Sequence, residues 1–170
     1  AHHLEAAFFR RFVPERERRS AIHHMIRAWF EILQTYGFVS WVNWGLLLGW
    51  TYNGANMPWD TDVDIQMPIA ELDQLGRRLN GTLFLEDPRY GNARWYLKVA
   101  PHYVRQGNGR NFVDARFIDV TTGLYIDISA LSISTYEPPK DLFEGLTEAE
   151  RQSVIPVHCK NFNWQLLLEL

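Results

Sequence analysis

Apolar residues recur at spacings of three and four across "PERERRSAIHHMIRAWFEILQTYG", residues 14–37. Ile22, Met25, Ile26, Trp29 and Leu33 share one stripe, which predicts a helix. Pro14 suits its first turn and Gly37 its C-terminal stop. His23 and His24 are adjacent in this helix and point about 100° apart, so they suit surface or capping positions better than a shared metal. "FVSWVNW", residues 38–44, reads as a buried strand broken at Gly45, and "LLLGW" as a short helix ending near Gly54. After Pro58, "DVDIQM" reads as a second strand. "PIAELDQLGRRLNG" reads as a second long helix, with Leu72, Leu75 and Leu79 inward and Gly81 as its stop.

Alternation in "ARWYLKVA" predicts a strand, and "RQGNGRN" a loop. "FVDARFID" and "LYIDISALS" are two further strands, joined by "VTTG" as a hairpin. Beyond them the pattern is that of a loop, with a short helix after Thr147, where T-E-A-E forms a capping box. Helices before and between strands indicate an α+β or α/β fold, and the order of strands is not readable from the pattern.

Composition narrows the class. A chain of 170 residues with 46% apolar content can bury a real core as one domain. A net charge of −3 gives no basic face for nucleic acid. The single cysteine, Cys159, cannot close an internal disulfide, and no chemistry is assigned to it. No signal peptide and no membrane-length apolar run is present. The sequence starts without Met and stops within "WQLLLEL", which reads as an interrupted helix and suggests an excised or C-terminally truncated domain over 1–170.

Against this background, "NMPWDTDVDIQMP" is unusual, because Asp60, Asp62 and Asp64 stand at alternate positions. In a strand Asp62 and Asp64 share a face while Val63 and Ile65 enter the core, roughly 7 Å apart by the rise per residue. Two such carboxylates repel unless a cation lies beside them, and Mg²⁺ suits one or two carboxylates plus water and phosphate oxygens. The alternative is an exposed strand face lined with Asp. A calcium loop of the EF-hand type would use Asp60, Asp62, Asp64 and Glu71, but Ile65 holds the position that needs Gly, and Pro68 adds a second objection. Asp127, between Ile126 and Ile128, is the candidate third carboxylate. A hairpin turning at Thr121–Thr122 places Arg116 opposite Asp127, so a cross-strand ion pair is the competing role for that residue. Asp114 and Asp119 rank below it.

The stretch "WGLLLGWTYNGANMPWDTDVDIQMP", followed by "DARFIDVTTGLYIDISALS", resembles the LicD family, and within it the fungal mannosylphosphorylation branch. The resemblance covers roughly residues 20 to 165. It implies an α+β fold of the nucleotidyltransferase kind, a mixed sheet flanked by helices. It further implies Gly45 as the turn glycine, Asp62, Asp64 and Asp127 as metal ligands, and Mg²⁺ or Mn²⁺ as cofactor. Asp60 would be a helper or base. The cations expected to face phosphates are Arg94, Lys98, Arg110 and Arg116, although each also suits an ordinary surface position.

The implied activity is transfer of a sugar or polyol phosphate from a nucleotide diphosphate donor, GDP-mannose or a CDP-alcohol, to a glycan hydroxyl. The implied location is the Golgi or secretory-pathway lumen, with any membrane anchor outside this segment. Two positions depart from the family pattern. Leu46 stands where relatives place Ser or Thr, and Trp44 where they tend to place His. These departures keep open a catalytically impaired regulator of glycan phosphorylation, or a nucleotide- or glycan-binding module.

Overall fold

A computed structural model describes residues 5–89, 91–101, 113–132 and 144–150. Helix α1 spans Glu15–Tyr36, α2 Trp44–Asn53 and α3 Ile69–Leu79. Six strands form one sheet: β1 Trp41–Asn43, β2 Asp64–Pro68, β3 Leu83–Leu85, β4 Arg94–Val99, β5 Ala115–Asp119 and β6 Tyr125–Leu131. Their order is β1-β2-β6-β5-β4-β3. β2 and β6 run parallel and every other neighbouring pair is antiparallel, so the sheet is mixed and the fold is α+β as expected.

The apolar stripes settle which face is core. Ile65, Met67, Leu97, Phe117, Ile126 and Ile128 alternate inward along four strands and meet Trp29 and Leu33 of α1 and Leu72 and Leu75 of α3, all nearly fully buried. Trp29 and Trp95 pack on Phe117, with ring centroids 5.5 and 5.9 Å away. Pro14 precedes α1, and Gly37 ends it at φ 77°, a left-handed turn that glycine enters without a Cβ penalty. Because side chains alternate across a strand, the residues between these core positions face the opposite side of the sheet.

Several boundaries differ from the pattern-based expectation. The strand expected over 38–44 is reduced to Trp41–Asn43, and α2 begins at Trp44 instead of after Gly45. Trp44 makes that abrupt change at φ 50°, a conformation uncommon for a bulky residue. The second strand begins at Asp64, so Asp60 and Asp62 belong to the loop before it. β3 was not anticipated; it is a three-residue edge strand with Leu83 and Leu85 exposed.

The T-E-A-E capping box forms, with the Thr147 N–H donating to Glu150 Oε2 at 2.8 Å and the Glu150 N–H donating to Thr147 Oγ1 at 3.3 Å. Helix is described there over residues 148–150. Arg110, Cys159 and "WQLLLEL" lie outside the described residues.

Candidate active site

The turn after β5 aligns the face opposite α1. The Asp119 N–H donates to the Leu124 carbonyl at 2.8 Å and the Gly123 N–H to the Asp119 carbonyl at 2.7 Å. Asp119 itself is a turn brace, accepting from Thr121 N–H and Thr122 Oγ1. Asp114 is likewise structural, fully buried and accepting the Ala130 N–H at 2.8 Å. The turn sets Arg116 in register with Asp127, the pairing expected from the sequence. The parallel ladder sets Asp127 in register with Asp64, and the next strand pair sets Lys98 against Arg116. One row across four strands therefore reads Asp64, Asp127, Arg116, Lys98, with all four side chains on the same face.

At the acidic end of this row carboxyls crowd one another. Burial, then the carboxylates of Asp62, Asp127 and Asp60, push the Asp64 carboxyl up to about 7. Asp60 is pushed up to about 6 by partial burial and by a side-chain hydrogen bond with Asp62. Asp60 also touches α2: a Cβ placed on Gly45 would lie 2.6 Å from Asp60 Oδ2. Gly45, in the first turn of α2, thus leaves room for a carboxylate beside a helix N-terminus, where helix N–H groups lack internal partners.

A second glycine seats the rest of the acidic loop. A Cβ on Gly49 would lie 2.6 Å from the Ala55 carbonyl oxygen and 2.9 Å from Met57 N. Arg19 of α1 adds a hydrogen bond to the Pro58 carbonyl at 2.7 Å. Glu71, the twelfth residue of the rejected calcium loop, instead accepts the Val39 N–H from its place on α3.

The basic end is held by carboxylates. Arg116 Nε donates to Asp127 Oδ1 at 3.0 Å, while its Nη1 donates to Glu5 Oε2 at 3.0 Å. Its guanidinium lies 4.2 Å from the centre of the Tyr125 ring. Lys98 Nζ reaches Glu5 Oε1 at 3.4 Å. Arg94 shares the Lys98 face, four residues earlier on β4, at the far end of that strand. Glu5 was not anticipated as part of the site; its separation of 111 residues from Arg116 leaves no local signal.

Among the described residues, no three His, Cys, Asp or Glu side chains stand together as a ready metal cage. The donor set nevertheless fits a hard divalent cation. All its candidate donor atoms are oxygens, neighbouring carboxylates raise the Asp60 and Asp64 carboxyls, and Mg²⁺ needs only one or two protein carboxylates.

Leu46 is buried in the core cluster, so its side chain does not occupy the phosphate-facing place expected of a hydroxyl there. His24 meets Glu86 across a cleft of about 580 Å³ lined also by Arg27, Tyr36, Phe84 and Trp95. That cleft lies on the α1 side of the sheet, away from the acidic row.

Residues 37–148 match the family described as LicD/FKTN/FKRP, nucleotidyltransferase domain. The chain belongs to the LicD family. It is 44% identical over 140 residues to Mannosyltransferase regulator 4 of Saccharomyces cerevisiae, covering 81% of this chain and 12% of that protein. It is 40% identical over 140 residues to Mannosyltransferase regulator 14 of the same yeast, covering 79% of this chain and 15% of that protein. The chain thus spans about an eighth of the length of these LicD relatives. No helix among the described residues is long and apolar enough to cross a membrane.

Proposed function

We propose that this LicD domain carries out metal-dependent transfer of a sugar or polyol phosphate, mannosyl phosphate foremost, from a nucleotide diphosphate donor to a glycan hydroxyl. The observation that carries this reading is the group of carboxyls around Asp64, which is pushed up to about 7 by burial and by Asp62, Asp127 and Asp60. Asp114 and Asp119 differ in role, since each braces backbone of its own hairpin. Asp62 and Asp64, with Asp127 beside them, would hold Mg²⁺ or Mn²⁺. Such an ion, when bound, neutralises charge on phosphate oxygens.

The chain's own residues account for the rest. Phosphoryl transfer depends chiefly on positioning and charge neutralisation, and Arg116 and Lys98 supply positive charge on the face that carries Asp64. An acceptor hydroxyl attacks the donor's β-phosphorus, the bond from that phosphorus to the bridging oxygen breaks, and a nucleoside monophosphate leaves. The hydroxyl proton passes to Asp60, whose carboxyl, raised to about 6, retains a proton more readily than an ordinary aspartate. The names of the yeast relatives support a glycosylation role, and with it a secretory-pathway setting, for which we favour the lumen.

A second reading has its own support. The burial of Leu46 removes the hydroxyl expected near a phosphate, and the yeast relatives are named regulators. In that reading the domain retains the fold and regulates a partner transferase. Incubation of the protein with GDP-mannose or a CDP-alcohol and an α-mannoside, in Mg²⁺ or in EDTA, separates the two. Transfer or donor hydrolysis that requires Mg²⁺ and is lost in Asp62→Asn supports the enzyme. No turnover of any donor supports the regulator.

A further inference from the structure

The basic end of the residue row is already occupied by an anion, and that anion comes from the chain itself. Glu5 places one carboxylate oxygen 3.0 Å from Arg116 Nη1 and the other 3.4 Å from Lys98 Nζ. Its side chain is 13% exposed, against 57% for Lys98 and 34% for Arg116, so the carboxylate is largely covered while its partners reach outward.

The Glu5 backbone is anchored separately. Its N–H donates to the Gly123 carbonyl at 2.8 Å. A Cβ on Gly123 would lie 3.2 Å from the Phe8 carbonyl carbon and the Phe9 nitrogen, and the Phe8 ring stands 5.8 Å from that of Tyr96. Residues 5–9 thus lie against the same sheet face as Arg116, next to its hairpin. A cavity of about 330 Å³ opens beside the two cations, lined by Lys98, Ala100, Val113, Asp114, Ala115 and Arg116.

We propose that Lys98 and Arg116 form an anion site for a phosphate or diphosphate group, and that Glu5 fills it as an internal stand-in which the phosphate must displace. A carboxylate and a phosphate present similar oxygens to a guanidinium, so a pair that holds one is preorganised for the other. Arg116 is fixed from two other sides, by Asp127 through Nε and by the Tyr125 ring, so Nη1 remains aimed at the site when Glu5 leaves. Displacement requires rotation of the Glu5 side chain alone, because its backbone is held by Gly123. The ion pairs with Glu5 are partly exposed and therefore weak enough to exchange. This inference rests on the proposed transfer reaction for its purpose but not for its test.

The test is an NMR titration with inorganic pyrophosphate in EDTA, following the Arg116 Nε–H resonance, so that no metal at the acidic cluster contributes. Glu5→Gln is expected to bind pyrophosphate at least about fivefold tighter than the wild type, a gain of about 1 kcal/mol. Adding Lys98→Gln to Glu5→Gln is expected to reverse that gain. Equal or weaker binding by Glu5→Gln, in a protein whose melting curve shows it folded, overturns the proposal. So does a gain that survives Lys98→Gln. Neither outcome depends on turnover, so loss of the proposed transfer reaction would leave the anion site standing, and loss of the anion site would leave the metal-bearing carboxylates to be judged on Mg²⁺ dependence.

Discussion

Asp60 Oδ2 occupies the place that a Cβ on Gly45 would need, 2.6 Å from it. Gly45 lies in the first turn of α2 with ordinary helical φ, so alanine there gains helix propensity of up to about 1 kcal/mol over glycine. The contact is with the end of a short side chain, which can swing away. Gly45→Ala is therefore expected to fold and melt close to the wild type while Asp60 is displaced from the helix terminus. Calorimetric titration with Mn²⁺ checks this: affinity is expected to fall several-fold with little change in melting temperature.

Gly49 makes a different prediction, because its neighbours are backbone atoms. The Ala55 carbonyl oxygen at 2.6 Å and Met57 N at 2.9 Å cannot rotate aside. Gly49→Ala must push the loop before Asp60 away from α2, and overpacking of this kind costs about 1–3 kcal/mol. A lowered denaturation midpoint together with lost Mn²⁺ binding is expected. An unchanged midpoint would show that the loop is not seated on this helix.

The pH dependence follows from Asp60 at about 6 and Asp64 at about 7. Both folded-state values are raised above the ordinary aspartate value, so the folded protein holds more protons than the unfolded chain between about pH 4 and 7. The associated stability is fully present below about pH 4 and is lost as pH rises through 6 and 7. In EDTA the melting temperature is thus expected to carry a falling component across this window. Asp64→Asn removes the Asp64 share, so the variant should gain most on the wild type at pH 8 and least at pH 5. A divalent cation competes with the same protons, so its affinity should rise over the same interval. Thermal scans across pH, with and without Mg²⁺, measure both.

The Arg116–Asp127 pairing was legible because it depends on one local fact, the length of the "VTTG" turn, and the observed register agrees. The inward faces of α1 and α3 were legible for the same reason, since a helix repeats its environment every turn. Asp62 was assigned to a strand because "DVDI" alternates whether or not it is hydrogen-bonded, and pattern alone does not reveal that the ladder starts at Asp64. β3 offered only three residues of "LFL" between Gly81 and Pro88, too few for a period. The parallel pairing that brings Asp64 beside Asp127, and the reach of Glu5 to Arg116, join distant parts of the chain and are tertiary facts. Family resemblance implied that Asp64 and Asp127 share a site but not the strand order that joins them, and nothing local supplied the second.

Leu46 yields the prediction that bears most directly on enzyme against regulator. It is 6% exposed and packs in the same apolar cluster as Ile65 and Trp29. Leu46→Ser removes most of a buried side chain and leaves a hydroxyl among apolar neighbours, so the cost expected is about 2–5 kcal/mol. A serine reaching a bound phosphate would instead tighten nucleotide binding by about 1.5–3 kcal/mol, the worth of a hydrogen bond to a charged group. The buried position predicts the first outcome, a lower melting temperature with no gain in affinity for GDP by calorimetry. In that case the proposed phosphate contacts would fall, among the described residues, to the backbone of the α2 first turn and to Lys98 and Arg116. Weak donor binding even after Glu5→Gln would then favour the regulator, whereas tight binding would show that the cations compensate for the missing hydroxyl.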